Sequence, residues 1–476
     1  MAPAGIEPGS FRDPDSRVLV TGDGVYRLLS DDGLADWRSL ASSELFERAT
    51  ADGSLIGTRE SNGDGELLAG LDGPDSTLVK PPAAVLRHDE IPFVSYPYEW
   101  SFGMLRDAAL LELDLLLAAL DEDLILKDAT PYNVQWRGAV PVFIDVGSFE
   151  RLREGEPWAG YRQFCMQFLY PLMVQAHRDV AFQPLLRGRL EGIPPTEAAR
   201  LLGGRHRFHR GVLSNVVLHA RLERRYEENA GKQVRGELKQ ARFSADLIRA
   251  NARRLRKLVA RLEWKPGASA WARYRETSSY SDEDSARKAD FVREAVETVR
   301  PSLTWDLGAN DGAYSRIAAE AGSYVIALDS DHATIEALYR SLREAEDRSI
   351  LPLVADLADP SPGLGWRGME RRPLLDRGAP DLTLCLALVH HLAITANVPL
   401  AEVVEWLADL GGAAVVEFPT REDPMVERLL AAKRDDSHPD YDRGYFESRL
   451  ERRFEVERRE QLGSGTRFLY RLSPRA

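Results

Sequence analysis

Cysteine is almost missing from this chain: 476 residues contain two, Cys165 and Cys385. They lie far apart, each in an apolar run, so they offer neither a disulfide framework nor a zinc cluster, and a reducing cytoplasm is the expected setting. Long apolar runs are missing too. The longest, Ala108 to Leu120, is broken by Glu112 and Asp114 and is too short and too charged to span a bilayer. The opening MAPAGIEPGSFRDPDS has no basic start followed by an apolar stretch, so no signal peptide is expected. Basic residues are outnumbered, 62 Lys plus Arg against 75 Asp plus Glu, and the net charge of −13 argues against general nucleic-acid binding. Internal repeats and low-complexity tracts are absent. What is present is a soluble globular composition, 44% apolar and 29% charged, in a chain too long for one core.

Residues 1–16 read as a flexible lead. From Arg17 to Glu99 short β-like runs (RVLVTGDGVYRLLS, SLIGTRE, AVLRHDEIPFVSYPYEW) alternate with Gly- and Asp-rich turns, with one helical stretch, LADWRSLASSELFERATAD, between the first two. A helix-like segment, FGMLRDAALLELDLLLAALDED, then leads into a short strand, LILK. Residues 158–228 read as helices rich in aromatics and arginine. In the following basic helix Leu247, Ile248, Leu255, Leu258, Val259 and Leu262 share one side, and Arg249, Arg253, Arg254, Arg256 and Lys257 surround it. Such a helix is a solvated connector or a contact for an acidic partner. From Arg287 onward, after one leading helix, strands and helices alternate, the signature of a parallel sheet flanked by helices.

The densest signal is LTWDLGANDGAYSRIAAEAGSYVIALDSDHATIEALYRSLRE. An apolar strand runs into Gly308, Ala309, Asn310, Asp311 and Gly312, and a helix opens at once. Glycines permit the tight turn and let a ligand approach the backbone. The next strand ends at Asp329, where a carboxylate can accept hydrogen bonds from both ribose hydroxyls of a nucleoside. A dinucleotide site would want Gly-x-Gly-x-x-Gly facing a pyrophosphate. Here Asp306 precedes the first glycine and Asp311 lies in the loop, and such carboxylates would repel pyrophosphate but suit a sulfonium and an ammonium. An NAD-dependent oxidoreductase is therefore the weaker reading. The turn resembles the first motif of Rossmann-fold, class I S-adenosylmethionine-dependent methyltransferases. On that resemblance Asp306, Gly308, Asn310 and Gly312 would cradle the cofactor, Asp329 would hold its ribose, and Asp356, closing ILPLVAD, would meet the adenine edge. The stretch from LALVHHLAI to EFPTREDPMVERLL looks like a bacterial group of nodulation-type or small-molecule methyltransferases.

Methyl transfer needs an aligned acceptor and, for a hydroxyl, a group that removes its proton. His390 and His391, at the carboxyl end of the fourth strand, are the candidates, since imidazole titrates near neutrality. Glu417, Tyr441 and His438 are weaker acceptor-side candidates. Tyr280 and Lys288 stand at the domain edge, where closing over the cofactor is one reading and a surface role is the expected one. FEVERREQLGSGTRFLYRLS reads as a terminal antiparallel hairpin that completes a seven-stranded Rossmann-like sheet.

A second polar constellation lies in LILKDATPYNVQWRGAVPVFIDVGSFE. Asp128, Pro131 and Asn133 are followed, after a strand, a turn and a strand, by Asp145. The pattern D-x-x-P-x-N then I-D-x-G resembles the catalytic segment of aminoglycoside and choline phosphotransferases, a kinase-like α+β fold. On that resemblance Asp128 would position an acceptor hydroxyl, while Asn133 and Asp145 would hold magnesium on ATP. Three departures stand against it. There is no Gly-rich phosphate loop. Lys80, the only lysine in the first 126 residues, lies too near the hinge-like SYPYEW to be the phosphate-pairing lysine. Arg27, ahead of a helix bearing Glu44, is better placed but is the wrong residue. A live kinase, a nucleotide-binding pseudokinase and a scaffold all stay open.

The expected organisation is α/β: a lead over 1–16, a kinase-like domain over 17–230, a helical connector over 231–286 and a methyltransferase domain over 287–476. The expected partner is a small-molecule or glycan acceptor, with O-methylation favoured. Phosphorylation and methylation of one acceptor would make a coherent pair.

Overall fold

The computed structural model describes residues 5–61, 82–221, 223, 244–267, 281–434 and 437–475. Tyr280 and Lys80 fall outside them. The chain divides into two compact units. The first comprises Met1–Trp136, Pro141–Lys265 and Gly363–Arg371, and the second Arg137–Val140, Pro266–Pro362 and Arg372–Ala476.

The first unit opens with a five-stranded antiparallel sheet. Its strands are β1 (Gly5–Ile6), β2 (Ser16–Thr21), β3 (Gly24–Leu29), β4 (Thr58–Glu60) and β5 (Ala84–His88), in the order β1-β2-β3-β5-β4. The short β1 lies within the residues read as a lead; two residues carry too little alternation to announce a strand. Arg12 follows it, and its guanidinium holds the Glu370 carboxylate through Nε at 3.0 Å and Nη2 at 2.6 Å. Helices Asp31–Ala41 and Glu44–Asp52 connect β3 to β4, each capped by a serine hydroxyl, Ser30 and Ser43, that accepts a first-turn N–H.

A buried helix, Phe102–Leu120, follows, and then two short ladders: β6 (Leu124–Leu126) with β9 (Phe149–Arg151), and β7 (Val134–Arg137) with β8 (Val140–Phe143). The basic helix, Ala245–Val259, packs on Phe102–Leu120 with Ile248, Ala252, Leu255, Leu258 and Val259 buried, whereas Leu247 faces out. Arg256 pairs with Asp114, and Arg249 with Asp121. The acidic surface this helix meets is therefore the chain's own. Among the described residues no helix is long and apolar enough to cross a membrane.

The second unit is a mixed α/β structure built on one seven-stranded sheet. Its strands are β10 (Leu303–Leu307), β11 (Tyr324–Asp329), β12 (Ile350–Val354), β13 (Leu382–Cys385), β14 (Ala413–Pro419), β15 (Phe454–Gln461) and β16 (Arg467–Pro474), in the order β12-β11-β10-β13-β14-β16-β15. The first five are parallel and almost wholly buried, as their continuous apolar runs require of strands covered on both faces. The last two are antiparallel; β15 sits at the edge and alternates buried and exposed residues only weakly, with arginines and glutamates outward. Helix Asp282–Val299 leads into β10. Its buried Asp284 accepts N–H groups of Gly463 at 2.6 Å and Ser464 at 3.1 Å, clamping the β15–β16 turn. Losing a charged acceptor would leave two amides without partners, so Asp284→Ala should cost about 2–3 kcal/mol, read as a lower midpoint in thermal unfolding.

Candidate functional site

In the second unit the carboxyl ends of β10, β11, β13 and β14 gather the residues that the sequence singled out. β10 ends in a turn whose backbone is left-handed at three positions: Gly308 at φ 78°, Asn310 at 50° and Gly312 at 75°. Two of these are glycines, for which that conformation is cheap. Space adds a second reason at Gly312, where a Cβ would stand 2.8 Å from a Leu338 methyl. At Gly308 a Cβ would only touch Leu388, at 3.7 Å, an ordinary van der Waals distance. The turn is tied down by Gly308 and Ala309 N–H groups donating to the Leu328 carbonyl at 2.8 and 2.9 Å.

Asp306 and Asp329 flank this turn and are buried. Burial pushes Asp306 up to about 6, against the Ser315 hydroxyl, which donates to Oδ2 at 2.6 Å, and the Lys288 ammonium. Asp329 accepts the Asn310 N–H on Oδ2 at 3.0 Å and the Asp331 N–H on Oδ1 at 2.9 Å; burial outweighs these bonds and raises it as well. Asp356 is exposed on the loop after β12, its Oδ1 accepting the Ala358 N–H at 2.9 Å.

His390 and His391 follow β13, rings 4.2 Å apart. His390 is fully buried, and neither ring nitrogen has a hydrogen-bond partner among the described residues. Burial holds both imidazoles well down, His391 at about 4, so both are neutral at pH 7.

Two other candidates are taken up by the protein itself. Glu417, at the end of β14, is wholly buried and pairs with Lys288 Nζ at 2.6 Å and Arg467 Nη1 at 3.1 Å. Arg467 in turn clasps Asp423 at 2.7 and 3.1 Å. The Tyr441 hydroxyl donates to the Pro419 carbonyl at 2.7 Å. His438 stands in the same region with φ 56°, its carbonyl accepting from Arg421. Lys288, expected on the surface, is buried, with its ammonium 4.9 Å from the Tyr314 ring centre. The helix periodicity held the signal: Asp284, Lys288, Phe291, Val292 and Ala295 fall on one stripe. Arg467 was missed, since one arginine in an alternating strand announces nothing.

In the first unit Asp128, Asn133 and Asp145 come together around the β7–β8 hairpin and the turn after it. The Asn133 amide donates to Ser148 Oγ at 3.0 Å, which donates to Asp145 Oδ2 at 2.6 Å. The other oxygen, Asp145 Oδ1, lies 2.7 Å from Nη1 of Arg27 on β3. Burial acts to raise Asp145, but Arg27 and Ser148 overcome it and the net shift is downward. Asp128 is raised by burial and by Asp145. Behind them Glu112 is fully enclosed, without a hydrogen-bond partner among the described residues, and burial lifts it well above the carboxylate range. Tyr132, between Pro131 and Asn133, carries the Arg371 guanidinium 4.0 Å from its ring centre. Cys165 and Cys385 are buried free thiols, both pushed up to about 12 by burial.

The second unit is thus a mixed α/β unit with an acid-flanked glycine turn at the carboxyl ends of parallel strands. The chain is 35% identical over 466 residues to nodulation protein NoeA of Rhizobium meliloti (strain 1021), covering 97% of this chain and 94% of that protein. It belongs to the NoeA family of nodulation proteins. No family model matches the sequence. Among solved structures, part of the chain is similar to WbdD, a bifunctional kinase-methyltransferase, at 18% identity and a TM-score of 0.30, over 39% of this chain and 40% of that one. It is also similar to the N-methyltransferase NodS of Bradyrhizobium japonicum WM9 (11%, TM-score 0.31, 41% and 99%). A further likeness is to magnesium protoporphyrin IX methyltransferase ChlM of Synechocystis PCC 6803 (15%, TM-score 0.31, 43% and 94%). The chain spans less than half the length of WbdD.

Proposed function

We propose that residues 287–476 form an S-adenosylmethionine-dependent methyltransferase domain acting on a small-molecule or glycan acceptor, with a hydroxyl oxygen favoured. One observation carries the reading: a left-handed glycine turn at the carboxyl end of β10, flanked by the buried carboxylates of Asp306 and Asp329. That donor set fits a cationic nucleoside and opposes a pyrophosphate, which speaks against the dinucleotide alternative. Gly308, Asn310 and Gly312 would line the cofactor, Asp329 would accept its ribose hydroxyls, and Asp306 would face its positive charge. The bound cofactor supplies an activated methyl group. The chain's part is to orient the acceptor, exclude water and take a proton. His390, buried and neutral with its ring nitrogens unspent, is the group we place against the acceptor, with the His391 ring tilted beside it. Asp356 is exposed and would reach the adenine edge from the rim. Glu417 and Tyr441 are then spent on bonds within the protein rather than on the acceptor.

Calorimetry with S-adenosylhomocysteine tests the reading: saturable binding is expected, and binding of NAD in its place overturns it. Mass spectrometry of extracts supplied with labelled cofactor then identifies the acceptor class by the gain of one methyl group.

Binding carries its own pH signature. In the free protein Asp306 titrates near 6, above its ordinary 3.8, so its contribution to folding is complete at low pH and is lost as pH rises through about 6. A cationic ligand favours the ionised carboxylate. S-adenosylhomocysteine, through its ammonium, should therefore bind more tightly at pH 7 than at pH 5 and release a proton, measured as a buffer-dependent heat.

For residues 17–230 the kinase-like reading divides on whether Asp128, Asn133 and Asp145 serve ATP and magnesium or a regulatory, non-catalytic site. The Arg27–Asp145 pair favours the second.

A further inference from the structure

Magnesium demands near-octahedral oxygen ligands at about 2.0–2.1 Å, and a carboxylate that holds it must face it with no other cation in the way. Asp145 Oδ2 accepts the Ser148 hydroxyl at 2.6 Å, and Ser148 Oγ takes the Asn133 amide N–H at 3.0 Å. Asp145 Oδ1 accepts no hydrogen bond among the described residues but lies 2.7 Å from Arg27 Nη1, so a guanidinium already stands where the cation would sit. A dication beside that fixed positive charge would be repelled, and the arrangement does not fit the ion.

Arg27 is a built part of this arrangement. It is buried on β3, where Nη1 also donates to the buried Ser16 hydroxyl at 2.8 Å and Nε donates to His88 Nε2 at 3.3 Å. His88 Nδ1 stands 2.8 Å from Thr58 Oγ1, whose own hydroxyl donates to the Ile56 carbonyl. That fixes the tautomer: Nδ1–H donates to Thr58 and the Nε2 lone pair receives Arg27. Gly147 leaves the room, since a Cβ there would crowd Arg27 Nη1 at 3.2 Å and Asp145 Oδ1 at 3.4 Å. Strands β2, β3, β4 and β5 therefore all help to aim one guanidinium at one carboxylate.

We infer that Arg27 is the resident counter-cation of this site, replacing magnesium, so that the first unit works without a divalent cation and transfers no phosphoryl group from a metal–ATP complex. The inference rests on the kinase-like reading of residues 128–145 and is independent of methyl transfer in the second unit: full S-adenosylhomocysteine binding is compatible with either result below.

The test uses the full chain and Mn²⁺ alone, followed by the loss of the free-ion paramagnetic resonance signal. Wild type should show no site that depends on Asp145; a saturable site that disappears in Asp145→Asn overturns the inference. A folded Arg27→Gln variant should take up Mn²⁺ at least about tenfold more tightly than wild type, and lose that gain when Asp145→Asn is added. A folded Arg27→Gln chain with no gain shows that Arg27 is not what excludes the metal. If that variant fails to fold, the comparison of wild type with Asp145→Asn decides.

Discussion

Glu417→Ala should lower the unfolding midpoint of the second unit by on the order of 10 °C. The reason is a closed count of buried charge. Lys288 and Arg467 are cations, Glu417 and Asp423 are anions, and all four side chains are essentially removed from water. Desolvating them is tolerable because each charge faces its opposite. Deleting Glu417 takes from Lys288 its carboxylate at 2.6 Å and from Arg467 one of its two carboxylates, so the buried positive charge is less well compensated. Breaking a buried pair from one side costs about 3–5 kcal/mol. For a unit of this size each kcal/mol moves the midpoint by about 2–4 °C. Replacing both partners, Lys288→Met with Glu417→Leu, removes both charges of the pair and keeps the Arg467–Asp423 clasp; it should recover at least half of the loss. Differential scanning calorimetry of the two variants checks this. A Glu417→Ala midpoint within about 2 °C of wild type would show that the network does not hold the fold.

Asp329→Ala should weaken S-adenosylhomocysteine binding by at least about a hundredfold. Hydrogen bonds to a charged acceptor contribute about 1.5–3 kcal/mol each, and two to the ribose would exceed the roughly 2.7 kcal/mol that a hundredfold represents. The carboxylate also receives the Asn310 N–H, so its loss loosens the turn that the ligand would rest on. Asp329→Asn separates the two effects. It keeps the side-chain volume and an acceptor oxygen for one of the two backbone N–H groups, sets an NH2 against the other, and removes a charge that burial disfavours. Its unliganded midpoint should fall less than that of Asp329→Ala while the ligand-induced rise in midpoint largely disappears. Undiminished affinity in both variants, measured by calorimetry, would remove Asp329 from the ribose role.

Much of the second unit could be read from the sequence because its signals are local. Strand, turn and helix follow one another within Leu303–Glu320, and the two glycines that the turn needs take positive φ. The positive φ of Asn310 was not anticipated, since asparagine reads equally well as an ordinary loop residue. What escaped is non-local. Lys288, Glu417 and Arg467 come from one helix and two strands spread across the unit, and only the folded sheet brings them within 3.1 Å of a partner. The first unit shows the same division. Asp128, Asn133 and Asp145 were visible as a spaced motif, and Arg27 was noticed as a residue out of type. That its guanidinium lies against Asp145 could not be read, because pairing of β3 with the turn after β8 depends on the helix Phe102–Leu120 between them in sequence.

The sheet order also sets a timetable for synthesis. β16 lies between β14 and β15, so an inner strand of the sheet is built from residues 467–474. Until they leave the ribosome, a nascent chain presents β14 as an open ladder of unpaired amides and carbonyls, the kind of surface that recruits foreign strands. It also carries Glu417 without Arg467. A stop codon at Arg467 would take out an interior strand together with a buried cation, and chaperone demand should peak in the interval before these residues emerge.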